Sequence, residues 1–223
     1  LGQLARQDKS YANVLMTLLK DSDEEITVQA AKVLGDAKIA EAAPMLIPML
    51  KSKNPRVQFF AAQALGRVKD KNAVQPLIEM VKANNDEDVY IRHAGVLALS
   101  RIGEAAPIAA LAGSPEKSLR IAGVLVLRRM KNEQISLFLK DKDEYIVAEA
   151  ARGINDDLSI PAALPALAAV LNEKGFTSEP LLRRAINAAL RVGGDTQLND
   201  LIAFAKRKDV DKAIRAEALA TLG

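Results

Sequence analysis

Val57-Gln-Phe-Phe-Ala-Ala-Gln-Ala-Leu-Gly66 is the stretch whose reading decides the fold. It opens on a β-branched residue, carries two small residues midway and closes on Leu-Gly. The same order returns at 26–35, 91–100, 119–128, 146–155, 182–191 and 214–223. An apolar start, a small pair four residues on and a closing Leu or Ile share one face of a helix. A motif repeated along the chain sets the architecture before any local reading does.

A second column of residues runs in step with the first. Apolar triplets at i, i+3, i+4 begin at Leu15, Leu46, Leu77, Ile108, Ile135, Leu167 and Leu198. They recur about every 31 residues, with a shortfall between Ile108 and Ile135. Each unit therefore reads as two helices, the first holding the triplet and the second the motif. Asp21-Ser-Asp23, Asn54-Pro55, Asn84-Asn-Asp86, Ser114-Pro115 and Asp141-Lys-Asp143 fall between them. Asn54 and Ser114 are expected to cap the helix that follows, with Pro55 and Pro115 at its first position. Gly35 and Gly66 are expected to end their helices in the left-handed region. Pro48 and Pro76 fall within first helices and are expected to kink them. No stretch alternates with period two.

The fold class that follows is all-α, an α–α superhelix or solenoid of about seven helix pairs and no sheet. The repeats run over 10–36, 41–69, 72–103, 105–131, 132–156, 159–193 and 195–223. The whole span 1–223 reads as a single elongated body, in which each repeat touches its neighbours. Residues 1–7 read as the end of a preceding repeat, and the chain closes on Leu222-Gly223. The expectation is a segment excised from a larger protein.

Composition narrows the function classes. Lys and Arg number 31 against 28 Asp and Glu, a net charge of +3, and Trp is absent. That balance argues against a dedicated nucleic-acid binder, which carries a clustered basic excess. No apolar run approaches the roughly 20 residues of a membrane span. With no Cys there is no disulfide, thiolate ligand or thiol nucleophile. His93 is the one histidine, so neither a multi-His metal site nor a recognisable triad can be built. No glycine-rich phosphate loop is present. The acids at 23–25 and 141–143 sit at helix starts, where negative charge complements the dipole. No catalytic residue, cofactor or metal is expected.

A helix pair closing on Val-Arg-x-x-Ala-Ala-x-Ala-Leu-Gly resembles the HEAT repeat, in particular its short bacterial form. Repeats 1 and 2 are nearest to it. Repeat 3 has Ser100 for the Gly, and repeats 4 and 6 have Arg128 and Arg191. In HEAT proteins an Arg at the second motif position ties adjacent repeats through an acidic turn residue. The resemblance implies that role for Arg92, Arg120, Arg183 and Arg215. Glu149-Ala-Ala-Arg-Gly-Ile-Asn155, Ala163-Leu-Pro-Ala-Leu167, the run 179–188 and Ile214-Arg-Ala-Glu-Ala-Leu219 are similar to the HEAT segment of large bacterial multidomain proteins. There that segment lies between a sugar-dehydrogenase-like β-propeller and a c-type cytochrome domain, outside the cytoplasmic membrane. The resemblance implies a spacer and docking module of a periplasmic dehydrogenase. Neither the propeller nor a Cys-x-x-Cys-His haem motif is in this chain.

The partner-binding candidates come from second-helix positions that vary among copies. They are Phe60, Gln63 and Arg67 in repeat 2, Leu97 and Arg101 in repeat 3, Leu125 and Arg129 in repeat 4, and Arg152 in repeat 5. These positions are polar in repeats 1 and 5 (Gln29, Lys32 and Asp36; Glu149, Arg152 and Asp156), which places the face in solvent on the inner side of the solenoid. Repeat 6 is read as Ala185, Ala188 and Val192. An apolar strip flanked by Arg suits a partner groove, with area to bury and directional charge. In the alternative, Leu97 and Leu125 pack between helices and the Arg residues complement helix C-termini. Tyr90 and Tyr145, one residue before their motifs, read as surface aromatics over a turn. The leading functional expectation is a noncatalytic scaffold whose inner face binds a protein or a neighbouring domain of the same chain, without nucleic acid or membrane. The alternative is a HEAT-like enzyme such as a bilin lyase or a DNA-repair glycosylase.

Overall fold

The computed structural model describes residues 11–222. The reading of 1–7 as the end of another repeat lies outside them. The described residues are helical with no strand. They are α1 (Tyr11–Leu18), α2 (Glu24–Asp36), α3 (Ala43–Met49), α4 (Pro55–Val68), α5 (Val74–Asn84), α6 (Val89–Ile102), α7 (Ala105–Ala109), α8 (Lys117–Met130), α9 (Glu144–Asn155), α10 (Leu164–Ala168), α11 (Glu179–Val192), α12 (Asp195–Ala205) and α13 (Lys212–Ala220). The chain divides into two compact units, residues up to 122 and from 123 on, with the boundary inside α8.

In the first unit the second helices α2, α4 and α6 stack in order, α3 against α4 and α5 against α6. In the second unit α9 packs on α11, α10 on α11 and α12 on α13. The motif explains the stacking. Val57, Ala61, Ala62, Ala64 and Leu65 are all buried, as are Ile146, Ala150, Ala151 and Ile154. Small residues on that face let two helix backbones approach, and the Leu and Ile fill what remains. Each such Leu contributes roughly 1.5–3 kcal/mol on leaving water.

Turn chemistry starts the second helices. The Asp23 side chain accepts from the Glu25 N–H, Asn54 from Arg56, Asp88 from Tyr90 and Asp143 from Tyr145. Ser114 accepts from Glu116 in the same way at 3.2 Å, but the regular helix begins only at Lys117, two residues beyond Pro115. The reason is Arg120. It is 5 % exposed, and its guanidinium takes the carbonyls of Ser114 and Pro115 at 3.0 Å each. Those carbonyls face a side chain rather than helical N–H groups. Arg92 likewise bonds Asp86 of its own turn at 2.6 Å. So Arg92 ties down its own repeat rather than the adjacent one, and Arg120 fixes the turn of its own. Arg183 does bridge repeats, from Glu179 to Glu217, whereas the Arg215 Nε is buried with no hydrogen-bond partner.

The motif glycines are not left-handed caps. Gly35 and Gly66 lie inside α2 and α4. A Cβ on Gly35 would stand 2.6 Å from the Ala64 Cα, and one on Gly66 2.6 Å from the Ala98 Cα. Each glycine therefore sets the distance between successive second helices. The positive-φ residues that follow second helices come later, at Lys38, Lys69, Gly103, Lys131, Leu158 and Gly193. In repeats 4 and 5 the roles reverse. Arg128 stands in the Gly column, and Gly153 faces its stem, where a Cβ would lie 3.2 Å from Arg128 Cγ.

Two registers differ from expectation. In α11 the buried set is Leu181, Leu182, Ala185, Ile186, Ala188 and Ala189, while Leu190 is 52 % exposed. The motif copy thus runs over 181–190, one residue earlier than its Leu182–Arg191 reading. In α12 the buried triplet is Leu201, Phe204 and Ala205, with Leu198 exposed. The first helix of repeat 5, Glu133–Lys140, is entirely 3-10. Asn132 and Asp141 leave it eight residues, and a 3-10 rise of about 2.0 Å per residue spans more than an α-helix's 1.5 Å. Ile135 and Phe138, three apart, remain fully buried.

Candidate functional site

A cleft of about 350 Å³ opens between α4 and α6 in the first unit. From α4 it takes Pro55, Arg56, Phe59 and Phe60, and from the start of α6 it takes Asp88, Tyr90 and Ile91. Val57 and Ala61 turn into the core, which leaves Arg56, Phe59 and Phe60 on the side facing out. Phe59 and Phe60 are half-buried and meet edge to face, with ring centroids 5.2 Å apart at 76°. Tyr90 is 72 % exposed, as expected of a surface aromatic. The chain has five Phe and three Tyr, and three of these eight aromatics line this one cleft.

The cleft's charges are set by neighbouring repeats. Glu25, Arg56 and Tyr90 occupy the same position, one before the motif, in repeats 1 to 3. Arg56 binds Glu25 through Nε at 3.0 Å and Nη2 at 2.9 Å, a two-bonded fork. The Arg56 guanidinium holds the Glu25 carboxyl below its ordinary range, and Glu25 raises Arg56 in turn. The same guanidinium lies 5.5 Å from the Phe60 centroid, within cation–π reach. Asp88 Oδ1 accepts the Tyr90 and Ile91 N–H groups at 2.7 and 3.3 Å. Asp88 has no ion-pair partner among the described residues.

The other candidates fall in both units. Gln63 is half-buried on α4, and Arg67 pairs with Asp36 of the preceding repeat at 3.0 Å. Leu97 and Arg101 on α6 are half-buried. Among these, only Phe60 lines the aromatic cleft. In the second unit Leu125 is half-buried and Arg129 exposed. Arg152 reaches Glu149 at 3.6 Å and Asp156 at 3.9 Å.

The corrected register of α11 reveals residues the sequence reading passed over. Moving the motif back by one places Arg184, Asn187 and Arg191 in the varying column, not Ala185, Ala188 and Val192. Ala185 and Ala188 are core. Arg184 forks onto Asp156 at 2.7 and 2.9 Å, and Arg191 bonds Asn155. Arg184 holds the Asp156 carboxyl below its usual range, with Asn155 and Arg152 acting the same way, while partial burial opposes it. A shallow depression of about 410 Å³ is lined by Asn155, Asp156, Arg183, Arg184 and Asn187, with Glu179 and Pro180. Its charges are largely paired with one another. Among the described residues no group of three or more His, Cys, Asp or Glu could hold a metal, and no helix is long and apolar enough to cross a membrane.

The architecture is that of an all-α helical-repeat protein. Residues 12–89, from α1 to the first residue of α6, match the family model of HEAT repeats. The match includes Glu25, Arg56, Phe60 and Asp88. The archaeal HEAT-like repeats protein from Thermococcus onnurineus NA1 has a similar structure, at 18% sequence identity over 99% of this chain and 88% of that one, with a TM-score of 0.51. The complex of CpcE and CpcF of phycocyanin lyase from Nostoc sp. PCC7120 aligns at 22% identity over 95% and 86% of the chains, with a TM-score of 0.47. Human deoxyhypusine hydroxylase aligns at 18% over 95% and 83%, with a TM-score of 0.40. No curated protein matches the sequence. At these identities the likeness concerns fold alone, and the match to HEAT repeats is carried by residues 12–89.

Proposed function

We propose that this chain is a noncatalytic interaction module that binds a protein, or a neighbouring domain of its own polypeptide, through the exposed side of its second helices. The aromatic cleft at Phe59, Phe60 and Tyr90 is the anchor. The observation that carries this reading is the concentration of aromatic surface. A chain with no Trp and eight other aromatics holds three of them in one open cleft, beside an Arg already fixed by an ion pair. Aromatic and Arg side chains dominate the energetically central contacts of protein interfaces. Because Arg56 is held by Glu25 and Phe59 and Phe60 are half-buried against each other, these side chains lose less ordering entropy on binding.

The finer proposal, that the parent polypeptide is a periplasmic dehydrogenase with this segment as its spacer, rests on the sequence resemblance of 149–219. Locating the parent gene product by cell fractionation tests it, and a cytoplasmic location would end it. The interaction itself is tested by placing a photo-crosslinking phenylalanine analogue at Phe60, and separately at the exposed Leu137 of the second unit, in the parent polypeptide. A partner crosslinked at 60 and absent at 137 supports the reading. Equal, weak labelling at both positions contradicts it.

A further inference from the structure

The cleft's charges indicate what it takes. Arg56, the one cation among the described residues of its lining, is forked onto Glu25, and Arg92, which follows Ile91 in the chain, is bonded to Asp86. Lys53 is exposed before Asn54 but does not line the cleft. On the opposite side Asp88 lines the cleft with Oδ1 on the helix N–H groups and no cation beside it. The exposed Glu87 precedes it. The lining thus carries neutralised positive charge, uncompensated negative charge and aromatic faces. Phe60 already accepts one guanidinium, that of Arg56, which shows the geometry such a ring tolerates.

Resting on the interaction reading above, we infer that the cleft docks an arginine-bearing segment of a partner protein, the Arg stem lying along Tyr90 and Phe59 and its guanidinium reaching the Asp88 carboxylate. An acidic side chain would meet Asp88 with like charge and would have to break the Glu25–Arg56 fork to find a cation. A purely aliphatic anchor would bury the Asp88 carboxylate with its Oδ1 on two helix N–H groups but no cation to balance the charge, which costs more than the apolar contact returns. An arginine covers the rings with its methylenes and satisfies the carboxylate with its fork.

The test uses ¹⁵N-labelled protein and three capped hexapeptides of Gly, Leu and Pro that differ at one central residue: Arg, its uncharged isostere citrulline, or Glu. The expected result is Arg-peptide shifts confined to amides near Phe59, Phe60 and Tyr90. The citrulline twin binds about tenfold more weakly, a difference of ~1.4 kcal/mol, and the Glu twin not at all. Asp88→Asn keeps the helix cap, since Asn caps as well as Asp. It should erase the Arg-over-citrulline preference with no change in Tm, and Tyr90→Ala should weaken all binding. Equal affinity for Arg and citrulline, tighter binding of Glu, a preference that survives Asp88→Asn, or no site-specific shift at millimolar peptide would each overturn the inference. If the crosslinked partner then meets Tyr90 with a residue other than arginine, the interaction reading stands and this one alone fails.

Discussion

At the scale of single residues, Gly35 and Gly66 are where this fold is least forgiving. A methyl group on either would meet the backbone of the next second helix at 2.6 Å, and backbone cannot swing aside as a side chain does. Gly35→Ala and Gly66→Ala should each destabilise by about 1–3 kcal/mol, the usual cost of overpacking. Gly113, where a methyl would meet nothing within 4 Å, is the control. Urea unfolding of the three variants decides it, and equal midpoints would contradict the close-packing role. Asp156 supplies a second residue-scale prediction. Its folded pKa is depressed below the unfolded value, chiefly by Arg184, so its contribution is present above the ordinary carboxylate pKa near 4 and is lost as pH falls through the folded value. The Tm gap between wild type and Arg184→Gln should therefore narrow from pH 7 to pH 3. A gap of constant size would show that the Arg184 effect is packing rather than charge.

At the scale of elements, legibility followed from how much of a helix its pattern pinned down. Leu46, Leu77 and Leu167 each headed a triplet whose spacing admitted one phase, and all are fully buried. Repeat 6 offered two phases, because Leu181-Leu182 and Ala188-Ala189-Leu190 give adjacent residues of similar character. The larger Leu190 attracts the reading, yet the tight stack takes Ala189. A slip of one residue rotates a helix by about 100°, and that hid Arg184 and Arg191 from view. The aromatic cleft was legible only in part. Phe60 and Tyr90 stood out singly, but Phe59 and Asp88 join them through the packing of α4 on α6, which spacing along the chain does not encode. The role of Gly35 and Gly66 is illegible for a related reason, since a close approach between helices leaves no mark on local sequence. Helix ends carry a prediction of their own. Lys69 closes α4 at φ 59°, a region that disfavours a side chain. Lys69→Gly should raise stability by up to about 1 kcal/mol by thermal unfolding. A lower Tm would mean that the lysine side chain contributes more than its strained backbone costs.

At the scale of the whole molecule, repetition separates structure from function. Positions that recur, such as Val57, Ala61, Ala64 and Leu65, build the core of one unit, as Ile146, Ala150 and Ile154 do in the other. Positions that change, such as Glu25, Arg56 and Tyr90 in one column, give each repeat its own surface. Ion pairs such as Glu25–Arg56, Asp36–Arg67 and Asp156–Arg184 join successive repeats across that surface. An exposed pair such as Glu25–Arg56 contributes little stability by itself, and the larger effect of these pairs is to fix which side chains remain open to a partner. The aromatic cleft is the place where that selection leaves apolar surface and an uncompensated carboxylate together. The most direct measurement is the affinity of the purified partner captured at position 60, for wild type against the Phe60→Ala/Tyr90→Ala double variant, by calorimetry. The affinity should fall at least about tenfold with the Tm of unfolding held within a few degrees. An unchanged affinity in a folded double variant would contradict the assignment of this cleft as the binding site.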